Sequence, residues 1–233
     1  MFRRSGIRFA DKDMRQQWNL PLWTENAVAK RAFLMKPLCL ALGGMIFPLA
    51  LAAPDCLADE CPAAVAGRGA FTVERGEQSK TEVTFGDGAL VRSVSRYRGG
   101  TYLETEQYEG LIQIGRIDRG RKTVFKPRSD LAKFFPLKPK QDISVQLDVG
   151  EDGAEPSVAT VDLRMVGVGR LAIGACEYDV LKFERIETRS NKKTDPIVEY
   201  YAPELKFIVA KEYTERDGRT TLIKFDRIYS NDR

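Results

Sequence analysis

The sequence predicts an all-β fold, an antiparallel sandwich or a strongly curved sheet approaching a half-barrel, with about a dozen short strands and at most one helical turn. Three observations carry this. Behind residue 69 the hydrophobic pattern alternates with period two. Turn-forming glycine and aspartate pairs punctuate it at close spacing. No long stretch carries the three-to-four residue period of an amphipathic helix.

The clearest strand is DISVQLDV, in which Ile143, Val145, Leu147 and Val149 alternate with Ser144, Gln146 and Asp148. In chain order the same pattern predicts strands over 70–75 (AFTVER), 81–85 (TEVTF), 90–97 (LVRSVSRY), 101–108 (TYLETEQY), 111–117 (LIQIGRI) and 122–125 (KTVF). Beyond DISVQLDV follow 159–166 (ATVDLRMV), 177–187 (EYDVLKFERIE), 197–201 (IVEYY), 205–214 (LKFIVAKEYT) and 220–229 (TTLIKFDRIY). Between them lie Gly86-Asp87-Gly88, Arg98-Gly99-Gly100, Glu151-Asp152-Gly153 and Asp217-Gly218, the last a strong hairpin signal. Ser129 to Phe135 can form a single helical turn, which Pro136 and Pro139 stop.

The chain ahead of this region divides differently. An apolar run from Pro37 to Ala53 ends in Ala50-Leu51-Ala52, a small-residue pattern of the kind signal peptidase cuts, and Lys36 supplies the basic flank. Residues 35–52 therefore read as a signal peptide, and an uncleaved signal-anchor in the inner membrane is the alternative at this length. Residues 1–34 read as an upstream extension or a long leading region, with translation from Met35 giving the usual short basic start. Lys30-Arg31-Ala32-Phe33-Leu34 resembles the twin-arginine export motif, with Lys30 in place of its first arginine. Residues 53–68 are an Ala/Pro/Cys linker, and 69–233 form one β-domain. The expected location is the periplasm.

Composition narrows the function. The 233 residues carry a net charge of +4. The excess lies in the leader, which leaves about 29 basic against about 30 acidic side chains behind it. The basic balance is thus no footprint for nucleic acid. The chain has no histidine, which removes the Ser-His-Asp and Cys-His arrangements and the usual zinc ligand. No cofactor or metal motif is present, and the balance favours a non-catalytic protein over an enzyme. Of the four cysteines, Cys39 leaves with the signal. In an oxidising compartment Cys56 and Cys61 are the expected disulfide, with Cys176 buried as a small hydrophobe; Cys61 with Cys176 is the other pairing.

Local patterns supply the candidate site residues. Arg116, Arg119, Arg121, Lys122, Lys126 and Arg128 crowd one stretch that could meet an anionic membrane or an acidic glycan, against the plainer reading of a solvated face. Glu104 and Glu106 share a strand face with Tyr102 and Tyr108, a spacing that suits the paired carboxylates of an inverting glycoside hydrolase, against the plainer reading of a solvated face. Tyr200 and Tyr201, beside Ala202-Pro203, could line a ligand mouth, or simply cover the end of the core.

Three segments carry a resemblance. FFPLKPKQ (134–141) is similar to a Phe-Pro-Leu-Lys-x-Gly segment, with Lys140 where a glycine is usual. GVGRLAIGACEYDVLKFE resembles a Gly-x-Phe/Cys-x-Val strand entry, and EYYAPELKFIVAKEYTERDGRTTLIKFDRI resembles closing hairpins with Tyr-Ala-Pro-Glu-Leu-Gly, Lys206 replacing that glycine. Over 131–229 the chain thus resembles a family of exported bacterial β-sheet envelope proteins without assigned function. In architecture that family is distantly similar to the curved-sheet lipoprotein carriers of the periplasm. The resemblance implies an apolar concave face able to hold an acyl chain. The function expected is non-catalytic binding of a hydrophobic ligand or an envelope partner, and the alternative is a carboxylate-based periplasmic hydrolase acting on glycan or peptidoglycan.

Overall fold

The computed structural model describes residues 61–62, 69–215 and 217–231. The readings for the leader, for the signal peptide and for Cys56 lie outside these residues. Fourteen strands form one antiparallel sheet. They are β1 (Ala70–Arg75), β2 (Ser79–Phe85), β3 (Leu90–Tyr97), β4 (Tyr102–Tyr108), β5 (Ile112–Asp118), β6 (Arg121–Pro127) and β7 (Ile143–Glu151). The second half holds β8 (Ser157–Ile173), β9 (Cys176–Arg189), β10 (Lys192–Lys193), β11 (Ile197–Ala202), β12 (Phe207–Thr214), β13 (Thr220–Lys224) and β14 (Arg227–Ser230). A 3-10 turn over Ala132–Phe134 is the helical turn the sequence predicts.

The topology is a meander. From β1 to β9 each strand pairs the next, β9 pairs β11, and β11, β12 and β13 continue the order. The last strand, β14, returns to pair β1, Phe71 facing Ser230. The hydrogen-bonded path therefore ends at β13 on one side and β14 on the other, and the sheet is not closed. Yet only Phe225 and Asp226 separate these two strands. A link that short spans about 10 Å at most, so the sheet must curl until its ends almost meet.

The sequence reads 220–229 as one strand, and here the structure differs. A bend at Phe225–Asp226 sends its two halves to opposite ends of the path. Neither glycine nor proline marks the bend. Packing fixes it: Phe225 stacks on Phe207 at 5.9 Å, Phe207 meets Phe71 edge-on at 5.7 Å, and the Asp226 N–H donates to the Glu74 carbonyl at 2.8 Å. The other extension is in β8, which runs on past Val166 to Ile173 although Gly167, Gly169 and exposed Val168 blur its alternation.

Alternation places the core. Ile143, Val145, Leu147 and Val149 point inward and are buried, with Ser144, Gln146 and Asp148 outward. Ile143, Val145 and Leu147 pack with Leu111, Ile112, Leu131, Val161, Leu163 and Phe183. Three bulges, at Glu106/Gln107, Met165/Gly167 and Tyr200/Tyr201, re-aim the strands. The bulge in the β8–β9 ribbon has a visible effect. Toward its base β9 buries Phe183 and Arg185, whereas toward its tip it buries Cys176, Tyr178 and Val180, the opposite set of alternate positions.

The two lysines that stand in glycine positions of the resembling motifs keep glycine-type backbone. Lys140 has φ 60° and Lys206 has φ 46°. Lys206 holds its conformation through an ion pair with Glu109 at 2.8 Å. Its carbonyl lies so near Gly110 that a Cβ there would sit 1.6 Å from it, so Gly110 is required by close approach of the two turns.

Candidate functional site

The predicted site residues are scattered. Tyr102, Glu104 and Glu106 lie on the outer face of β4, since their alternates Thr105 and Leu103 face Ser93 and Ser95 of β3. The Glu106 carboxylate accepts from Arg92 Nε at 3.0 Å, an exposed cross-strand pair. The six basic residues do not form one surface. Arg116, opposite Thr105, and Arg121, opposite Asp118, follow the inner face, while Lys122 and Lys126 point outward. Arg119 sits at the β5–β6 turn with φ 50°. Arg128 is spent on Asp148, 2.6 Å away, and Arg116 on Asp118 at 2.7 Å.

Tyr200 and Tyr201 are both buried. The Tyr201 hydroxyl donates to the Glu109 carbonyl at 2.7 Å, and that of Tyr200 to Glu212 at 2.8 Å beneath the Lys182 ammonium, 4.7 Å from the ring. Burial and then the Glu212 carboxylate push the Tyr200 phenol up to about 12. Both rings are walls rather than a mouth.

The disulfide corrects the expected pairing. Cys61 is bonded to Cys176, with Cα atoms 5.6 Å apart, not to Cys56. The reason is local docking. The buried Tyr178 hydroxyl donates to the Pro62 carbonyl at 3.1 Å, so the segment 61–62 lies against the start of β9, where Cys176 is. Cys176 is buried, as the sequence suggests, but it is not a free thiol.

Inside the curl the structure places a charged cluster that sequence reasoning did not single out. Arg185 on β9 donates from Nε to Glu199 on β11 at 2.8 Å, from one terminal nitrogen to Glu187 at 2.9 Å, and from the other to the Leu111 carbonyl at 2.7 Å. Lys211 on β12 reaches the second Glu199 oxygen at 2.8 Å. The Glu199 side chain is 1% exposed. Burial alone would push this carboxyl up, but Arg185 and Lys211 outweigh it and hold it at about 2. Burial opposes the Arg185 charge as well, and the Glu199 and Glu187 carboxylates reverse that and raise it. Tyr213, two residues beyond Lys211, has its phenol raised by burial and then by Glu199. The polar groups of this cluster satisfy one another, so its chemistry is structural. The signal was present in the sequence: Glu199 and Arg185 each stand in phase with apolar neighbours on an inward face.

Among the described residues no group of three or more histidines, cysteines or carboxylates is set to hold a metal ion. Among the described residues an open recess lies at the seam of the sheet. A cleft of about 520 Å³ is lined by Arg75, Gly76, Glu77 and Gln78 of the β1–β2 turn and by Arg98 of the β3–β4 turn. Its opposite wall is β13, through Leu222, Ile223 and Lys224, with Asp226 at the apex. Three cations thus face two carboxylates. Arg98 and Glu77 pair loosely at 3.9 Å with both side chains well exposed, and Lys224 donates to the Ala172 carbonyl at 3.1 Å. The Gln78 Oε1 atom is buried without a hydrogen-bond partner among the described residues, and Leu222 is 44% exposed. Nothing in the sequence pointed here, because the cleft exists only once the 220–229 run bends.

The chain matches no family model and no curated protein sequence. Two solved structures resemble it distantly in fold. One is the hypothetical lipoprotein YmcC of Escherichia coli, at 8% identity and a TM-score of 0.41 over 68% of this chain and 83% of that one. The other is a Bacteroides fragilis protein described as exported with a YmcC-like fold, at 12% identity and a TM-score of 0.36 over 69% of this chain and 95% of that one.

Proposed function

We propose that the chain is an exported β-domain of the cell envelope that binds a protein partner at the seam cleft and catalyses no reaction. The cleft is the single observation that carries this reading: it combines an exposed leucine, mixed charge and a sheet edge in one recess. The inner face argues against an acyl chain as the cargo. It is filled by the protein's own side chains, with Leu111, Ile112, Ile143 and Val145 at most 1% exposed, and its polar half by the Arg185–Glu199–Lys211 cluster. Export is supported by the Cys61–Cys176 disulfide, a bond that persists in oxidising compartments, together with the signal-like residues 35–52.

A photo-crosslinking side chain placed at Leu222 tests the reading in intact cells. Val124, 45% exposed on the outer face of β6, serves as the control position. The expected outcome is a discrete protein adduct from position 222 and none from 124. Equal labelling at both, or none at either, rejects the cleft as the binding site.

A further inference from the structure

The seam cleft is built to take a strand. Deepening the proposal above, and resting on it, we propose that the partner enters as an extended polypeptide segment that pairs with the outer edge of β13 and carries acidic side chains toward Arg98 and Lys224.

The hydrogen-bond phase of the β12–β13 hairpin shows which groups await it. The Glu215 N–H donates to the Arg219 carbonyl at 2.7 Å, so this opposed pair is a hydrogen-bonded one. Bonded and non-bonded pairs alternate along an antiparallel ladder. Thr221, opposite Tyr213, and Ile223, opposite Lys211, therefore bond to β12. Thr220, Leu222 and Lys224 turn their N–H and C=O groups the other way, to the edge that ends the sheet path. Leu222 and Lys224 are also cleft residues. Among the described residues an incoming strand thus finds unpaired main-chain donors and acceptors at alternate positions, the arrangement that strand addition uses.

The recess explains why such an edge is tolerable. β13 is five residues long and faces the β1–β2 turn across the cleft, and so short an edge offers little to another sheet. Charge selects the occupant. With Arg75, Arg98 and Lys224 against Glu77 and Asp226, the walls carry a cationic excess that an acidic segment neutralises. Two copies of the domain meeting edge to edge would oppose like charges instead. The exposed Leu222 side chain offers an apolar contact on one face of the added strand.

The test uses the purified exported protein and a short end-capped fluorescent peptide in which valine alternates with threonine and glutamate. Anisotropy titration gives its affinity. Leu222→Pro removes an outward N–H while sparing the β12 ladder, and Leu222→Ala removes the side chain alone. The expected result is saturable binding that Leu222→Pro weakens by about tenfold or more, the value of one charged or buried hydrogen bond lost with its partner stranded. Leu222→Ala weakens it less, and a lysine-for-glutamate peptide binds poorly. If Leu222→Pro proves unstable by circular dichroism, the same peptide N-methylated at alternate residues on either edge replaces it, and one of the two methylated forms fails to bind. Wild-type affinity with folded Leu222→Pro, equal binding of both methylated peptides, or no saturable binding overturns strand addition. A concentration-dependent dimer lost in Leu222→Pro overturns it in favour of a second copy. In each of these cases the crosslink at position 222 separately decides whether the cleft binds a partner at all.

Discussion

Glu199 shows how a single buried carboxylate ties stability to pH. Its folded pKa of about 2 lies below the ordinary 4.5. Protonation is therefore easier in the unfolded chain, and the carboxylate contributes stability that is fully present above pH 4.5. That contribution drains away as the pH falls from 4.5 toward 2, and it amounts to roughly 3 kcal/mol. Glu199→Gln is expected to destabilise by about 3–5 kcal/mol at neutral pH, because Arg185 and Lys211 are left as buried charges short of a partner. It also flattens the acid limb of the stability curve. Urea unfolding of both proteins at several pH values checks this, and parallel acid limbs would refute it. The sequence reveals a glutamate in phase with Ile197 and Tyr201, but which cations face it depends on strand register. Register is a long-range property that no local pattern encodes.

Among the elements, the β8–β9 ribbon and its disulfide are where local reading falls shortest. Alternation located β1, β3 and β11 almost to the residue. β9 switches its buried positions between base and tip, and in β8 Gly167, Gly169 and exposed Val168 blur the alternation, so the pattern reads as an ending after Val166. The Cys61–Cys176 bond then clips residues 61–62 to that tip across 115 residues of sequence. A loop this long restricts the unfolded chain strongly. Cys176→Ser is expected to cost about 2–5 kcal/mol, read as a lower urea midpoint, and the wild type under reducing conditions should lose a similar amount. An unchanged midpoint in both would show the bond to be dispensable.

For the whole molecule, the all-β class was accessible because nearly every connection joins sequence neighbours, so a period-two pattern with turn signals marks most of the strands. A strongly curved sheet is one of the two architectures the pattern predicts, but the seam was not legible. It arises from a bend at Phe225–Asp226 held by Phe71 and Phe207, residues more than a hundred positions apart in the chain. Removing residues 227–233 should expose the unpaired edge of β1 along Phe71–Glu74, which β14 covers. The truncated protein is expected to aggregate at concentrations where the full chain stays monomeric, as size-exclusion chromatography would report. A monomeric truncation would mean the edge is protected by other means.

The same pairing has a temporal consequence. On the export route proposed above, a chain that crosses a membrane N-terminus first delivers β1 early and β14 last, and the contact of Phe71 with Ser230 spans nearly the whole domain. Loop closure on that scale is slow, so through most of the passage the first strand travels with one side bare. The final residues act as a latch on the first, and until they arrive the domain is a strip with two open margins, dependent on whatever holds incoming chains apart.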